Sequence, residues 1–171
     1  MNELREIIVN LPPETALALN GYFEARGEYR RLGEAAYIAV MAVALNRAAH
    51  PMNWSATVQE VIAAHRQFSW TNWDDAVKDP QYQMALKFAR QPQRAWDKSW
   101  LAAKDVARRV VEKAVLNPVQ NATYYFNPHV CRPSWAKHFK LVRDLGNHRF
   151  MTDPACDPAV LWRCRREEGW E

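Results

Sequence analysis

Residues 35–45 read AAYIAVMAVAL, eleven apolar positions without a break. A helix lying on a protein surface interrupts its apolar stripe with polar residues every third or fourth position. This run has no such interruption, so a helix over residues 34–49 must be covered on nearly every side. We therefore read it as the central core helix, around which the other segments are arranged. The run also falls short of the roughly 18 residues needed to cross a bilayer, so no membrane insertion is expected. With 171 residues, 49% of them hydrophobic and 25% charged, the chain suits a single domain over 1–171.

Upstream, the stretch LPPETALALNGYFEA places two prolines at a helix start, where a missing N–H costs little. Leu17, Gly21 and Glu24 then share one face at spacings of four and three. Gly27 is read as the stop of this helix and YRRLG as a loop. Downstream, His50-Pro51 closes the core helix, and Ser55 is a candidate cap for ATVQEVIAA. Residues 66–75 alternate aromatics with small polar residues, as a loop or short strand would, and 78–95 take no assigned shape. Ala103, Val106, Ala107, Val110 and Ala114 mark a one-sided helix over about 97–116, stopped by Asn117-Pro118. The aromatic ATYYFNP, 122–128, is β-prone, with GNHRFM, 146–151, as its partner strand. The fold class is α+β, predominantly α, with a small β element, and the tail 152–171 is expected to wrap the surface.

Charge is uneven along the chain. Residues 1–86 hold 7 Lys/Arg against 10 Asp/Glu, and residues 87–171 hold 16 against 9, which together give the net +4. A basic half suits an anionic polymer, whether nucleic acid or a carboxylate-bearing cell wall, and equally a plain solvated surface. The basic residues are dispersed and not clustered with aromatics, so nucleic acid is not the expected partner. Three cysteines, Cys131, Cys156 and Cys164, define no disulfide framework, although a Cys156–Cys164 bridge fits the spacing. The acidic N-terminus lacks a signal-peptide pattern, so synthesis in the cytoplasm is expected.

Two carboxylates, Glu24 and Glu28, stand one helical turn apart where the helix is read to end. Neighbouring carboxylates disfavour double ionisation, and a glutamic acid in an apolar pocket can stay protonated near neutrality and donate to a glycosidic oxygen. An ordinary charged helix terminus has the same spacing. His129-x-Cys131 and the scattered His50, His65, His138 and His148 lack zinc-site spacing. No Gly-x-Ser-x-Gly elbow or glycine-rich phosphate loop is present, so no metal or cofactor is expected.

Three segments in order carry a resemblance: EARGE, 24–28, leading through the apolar helix to ALNR, 44–47; QFSW, 67–70; and NPVQNATYYFNP, 117–128, leading to GNHRF, 146–150. Together, over residues 17–151, they resemble the SleB-type cell wall hydrolases. That resemblance implies a lysozyme-like, lytic-transglycosylase domain acting on peptidoglycan glycan strands, with Glu24 as the catalytic acid. Glu28 is implied as a supporting group that orients the site; a loop-anchoring carboxylate paired with Arg26 or Arg47 is the alternative. Two departures stand out. The link YRRLGEAA is longer than the family's, with Ala36 in place of a glycine, and Asn117-Pro118-Val119-Gln120-Asn121 replaces Asp-Pro-Thr-Gly-Gly.

The implied reaction uses one glutamate twice, as acid toward the leaving oxygen and then as base toward the muramoyl C6 hydroxyl, which leaves 1,6-anhydro ends. Sugar rings bury apolar C–H faces against aromatics, so QFSW (Gln67, Phe68, Ser69, Trp70) and the strand residues Thr123, Tyr124 and Tyr125 are the expected groove residues. Core packing is the alternative for Phe68 and Trp70, and strand alternation turns Tyr124 and Tyr125 to opposite sides. A hydrolytic muramidase or glucosaminidase, cleavage of a wall peptide amide, and a non-catalytic peptidoglycan-binding virion module are the rival readings. A monomeric phage endolysin, reaching the wall by holin-type release, fits a compact lone domain.

Overall fold

The computed structural model describes residues 2–50, 57–64, 67–72 and 79–153. Among the described residues six α-helices pack around one core: α1 Glu3–Asn10, α2 Pro13–Leu32, α3 Glu34–Ala48, α4 Val58–Ala63, α5 Pro80–Arg90 and α6 Lys98–Val111. Three strands follow: β1 Tyr124–Phe126, β2 Lys140–Leu145 and β3 His148–Thr152. Ser55, the tail from residue 154 and both Cys156 and Cys164 lie outside the described residues. No described helix is long and apolar enough to cross a membrane.

The apolar run behaves as its composition demands. α3 buries Ala36, Tyr37 and every residue from Ala39 to Ala44, with α2 and α6 packed against it. At Gly21 the side chains of α3 lie directly on α2, and an added Cβ would stand 2.4 Å from Met41 Cε. The interior is aromatic-rich, with Trp70 and Trp100 both fully buried and Trp70 stacked on Phe23 at 5.3 Å.

Four of the six described helices begin on a side-chain cap, whereas α2 and α3 have none. Asn2 caps α1 through Leu4 N–H at 3.0 Å, Asp79 caps α5 through Gln81 N–H at 2.8 Å, and Asp97 caps α6 through Trp100 N–H at 2.7 Å. In α4 the cap is Thr57, which forms a reciprocal capping box with Glu60.

Several expectations are corrected. Gly27 does not stop α2, which runs on through YRRL to Leu32 and ends at Gly33, where φ is +62°. The last turns are held by Tyr29 stacked on Tyr37, with ring centroids 4.7 Å apart. Glu24 and Glu28 therefore sit within a continuous helix and not at its end. α6 stops at Val111, short of 116, because Lys113 adopts φ +58° and its neighbours close a Schellman motif: Ala114 N–H donates to Arg109 O at 2.8 Å and Lys113 N–H to Val110 O at 3.1 Å. Residues 80–90 form a helix, and Ser69–Thr71 a single 3-10 turn.

The sheet has the order β1-β3-β2, all antiparallel. The expected pairing of ATYYFNP with GNHRFM exists as β1 on β3, in the register Tyr124↔Met151, Tyr125↔Phe150. β2 is an additional strand, bulged between Leu141 and Arg143. It joins β3 through the two-residue turn Gly146-Asn147, in which Gly146 alone takes positive φ, at +60°.

Candidate active site

On α2, Asn20, Glu24 and Glu28 recur every fourth residue and so share one face. Asn20 is fully buried, whereas Glu24 and Glu28 are partly exposed. The sheet is brought to this face by the polar end of α3. Asn46 Nδ2 donates to the carbonyls of Gln120 at 2.8 Å and Ala122 at 2.6 Å, and Arg47 Nε donates to Thr123 O at 2.6 Å. These bonds fix the chain immediately before β1, so the next residues enter the strand in a set register.

Alternation along β1 then divides the two tyrosines. Tyr125 donates its hydroxyl to Glu24 Oε2 at 2.6 Å, and its ring meets His148 at 5.2 Å and Phe150 at 5.3 Å. Tyr124 instead meets Phe139 at 4.6 Å and Trp135 at 5.2 Å, with the Arg47 guanidinium 5.5 Å from its ring centre.

Burial pushes the Glu24 carboxyl above the ordinary carboxylate range, and the Tyr125 hydroxyl and the Arg47 charge pull the other way without cancelling it. Burial and the adjoining Glu24 raise the Tyr125 phenol well above its usual value, so it serves as a donor. Arg47 is 5% exposed, and burial lowers its proton affinity while Tyr125, Tyr124 and Glu24 raise it. A guanidinium keeps its charge through such a shift. The result is a carboxyl with increased proton affinity, oriented by one neutral donor and backed by a buried cation. Such a group can give up a proton and later take one back.

Glu28 is built differently. Its Oε1 accepts from Asn147 Nδ2 at 2.6 Å, and its Oε2 accepts from Asn147 N–H at 3.3 Å and Arg31 Nη2 at 3.1 Å. It anchors the β2–β3 turn, with Arg31 as its cation in place of the expected Arg26 or Arg47. Arg26 turns instead to the Tyr22 hydroxyl, at 3.1 Å.

The QFSW segment divides. Gln67 is partly buried and its Oε1 accepts from Arg47 Nη1 at 3.3 Å, and Ser69 is exposed. Phe68 and Trp70 are 3% and 0% exposed, with Phe68 beneath Arg47 and Trp70 against Phe23. Neither ring offers a face to a sugar; both pack the core. Thr123 is also fully buried, contributing its backbone to Arg47 and to Met151 O at 3.1 Å. Sequence reasoning missed Asn46, Asn147 and His148, along with the structural roles of Arg47, Trp135 and Phe139. Only the polar pair Asn46-Arg47, closing an otherwise apolar helix, carried a local signal.

No curated protein matches the chain. Among solved structures, the catalytic domain of the germination-specific lytic transglycosylase SleB from Bacillus anthracis is similar at 26% identity and a TM-score of 0.53, covering 82% of this chain and 93% of that one. The catalytic domain of the Bacillus cereus SleB protein is similar at 26% identity and a TM-score of 0.50, covering 84% and 94%. The profile of the cell wall hydrolase family matches residues 33–151, which include Arg47, QFSW and all of the sheet but Thr152, and begin after Glu24 and Glu28. On that match, which spans more than half of its length, the chain belongs to the cell wall hydrolase family.

Proposed function

We propose that the chain cleaves the bond between N-acetylmuramic acid and N-acetylglucosamine as a lytic transglycosylase, with Glu24 as both acid and base. Membership of the cell wall hydrolase family makes wall peptidoglycan its substrate. The observation that carries the finer reading is the contact between Tyr125 and Glu24, which holds a carboxyl of raised proton affinity in one orientation. In this reading, protonated Glu24 gives its proton to the leaving O4 of N-acetylglucosamine as the bond to muramoyl C1 breaks. The resulting carboxylate then removes the proton from the muramoyl C6 hydroxyl while O6 bonds to C1, so no water is consumed and Glu24 ends as it began.

Two features favour one carboxyl over two. Glu28, the next acid on the same face, is occupied by three donors. The similar SleB of Bacillus anthracis is itself described as a lytic transglycosylase. Ser69, Gln67 and Tyr124 are proposed to meet the glycan strand, Gln67 held in place by Arg47. Delivery as a monomeric endolysin after holin-type release completes the reading, with exposed basic residues such as Lys137, Lys140 and Arg143 assisting adhesion to an anionic envelope.

Mass spectrometry of muropeptides released from purified walls tests the reaction. Anhydro ends, one water lighter than reducing ends, are expected; reducing ends alone would make the enzyme a hydrolase, and shortened peptides with intact glycan would make it an amidase or peptidase.

A further inference from the structure

We infer that Glu28 is a positioning residue: by gripping the Gly146-Asn147 turn it holds the β2–β3 hairpin on α2 and so keeps Tyr125 seated on Glu24. The inference rests on the reading of Glu24 as acid and base, and adds how the partner of that acid is kept in place.

The grip is specific. Glu28 keeps 13% of its side chain exposed and uses both carboxylate oxygens on the turn. Arg31 closes a triangle, donating to Glu28 Oε2 and to Asn147 Oδ1, each at 3.1 Å. The turn comes so near that a Cβ on Gly146 would stand 2.2 Å from Glu28 Oε2 and 2.5 Å from Leu32 Cδ1. Glycine allows that approach with these side-chain ends in place, and Gly146 also holds φ +60°. The ion pair with the solvent-exposed Arg31 would by itself contribute little. Amide donors on a largely covered carboxylate are stronger and directional.

From this anchor the chain leads directly to the site. His148 follows Asn147, and its ring lies edge-on to Tyr125 at 5.2 Å. Phe150, the cross-strand partner of Tyr125, lies on the same ring at 5.3 Å. β1 is only three residues long and pairs on one side alone, so its own ladder is a weak support. Tyr125 is thus located by two ties. Asn46 and Arg47 hold the entry to β1, and Glu28 holds the turn from which β3 supplies the rings that support it.

A double-mutant cycle on the full chain tests this, using Glu28→Ala, Tyr125→Phe and the pair, with kcat and KM measured on purified walls. Each single variant is expected to lower kcat by tenfold or more with KM little changed, and the pair to fall no further than Tyr125→Phe alone, within about twofold. Losses that multiply, or a Glu28→Ala variant that changes only its melting temperature, would overturn the inference. Asn147→Ala gives a second route that leaves α2 and every charge in place. In this variant the Glu24 carboxyl, followed by carbon NMR and assigned through Glu24→Gln, should titrate at higher pH than in the wild type because the Tyr125 donor is loosened. An unchanged titration would refute the positioning role whatever the enzyme does to walls, whereas full wall lysis by Glu24→Gln would refute the assignment of the acid and leave the NMR result standing.

Discussion

The hydroxyl of Tyr125 and the carboxyl of Glu24 meet at 2.6 Å although 101 residues separate them. The bond favours the charged carboxylate, so it opposes the burial that raises the proton affinity of Glu24. Tyr125→Phe removes the opposing contribution and leaves burial in force. Glu24 then holds its proton to higher pH, and the falling alkaline limb of kcat/KM moves upward. The loss of orientation should lower the maximal rate roughly tenfold to a hundredfold. A pH–rate profile on purified walls checks both effects; an alkaline limb that moves downward would contradict the assigned sign.

Glu24→Gln should abolish lysis, by about a thousandfold or more if general acid–base transfer passes through this carboxyl. Its effect on stability has the opposite sense. A carboxyl whose folded proton affinity is raised costs nothing well below the ordinary carboxylate range, where it is protonated in both states. As pH rises through that range toward the folded value, the unfolded chain ionises first and stability is lost. Gln cannot ionise and still accepts from the Tyr125 hydroxyl. The variant should therefore melt higher than the wild type at pH 7, with the gain shrinking as pH falls toward 4, as calorimetry at several pH values would show.

The parts of the fold legible in the sequence were those encoded by local pattern. α3 announced itself because a wholly apolar run can only be enclosed, and the β1–β3 pairing because aromatic and β-branched positions cluster in two short segments. α2 was misread at Gly27 because glycine usually ends helices, yet here the stack of Tyr29 on Tyr37 from α3 carries the helix past it. β2 was missed since KLVRDL has no clean alternation, which its bulge explains. At the site, resemblance singled out Glu24 and the aromatic strand offered Tyr125 as a groove residue, but the bond between the two and the Arg47–Thr123 tie, 76 residues apart, are products of packing that no spacing rule encodes. Phe68 and Trp70 illustrate the converse, since an aromatic beside polar residues reads alike whether it faces a sugar or the core.

Arg47→Lys keeps the charge and loses the fork. The guanidinium serves Thr123 O through Nε and Gln67 Oε1 through Nη1, while lying over the Phe68 ring at 5.2 Å. A lysine ammonium cannot span those partners. Loss of charge-assisted bonds at a buried position should destabilise the fold by about 2–3 kcal/mol. A charge that remains near Glu24 predicts a pH profile close to that of the wild type. Arg47→Met removes the charge as well, so the alkaline limb should move upward as it does for Tyr125→Phe. Urea denaturation and pH–rate curves for the two variants separate the structural from the electrostatic contribution.

Gly27 and Gly146 should respond to alanine in opposite directions. Gly27 lies inside α2, and an added Cβ would meet nothing within 4 Å. Restricting the unfolded chain there should stabilise the protein by about 0.5–1 kcal/mol. Gly146 holds φ +60°, and an added Cβ would fall 2.2 Å from Glu28 Oε2. The left-handed conformation alone costs a side chain about 1–2 kcal/mol, and the Glu28 and Leu32 side-chain ends must also shift to admit the Cβ, which displaces the carboxylate from its bonds to the turn. Gly146→Ala is therefore expected to lose about 2 kcal/mol or more, a fall of several degrees in melting temperature for a domain of this size. Because the turn leads into His148 and Phe150, the same displacement should reach Tyr125 and slow wall lysis, whereas Gly27→Ala leaves the Glu28–Asn147 contact intact. Equal stability changes in the two variants would mean that the turn yields more readily than its contacts indicate.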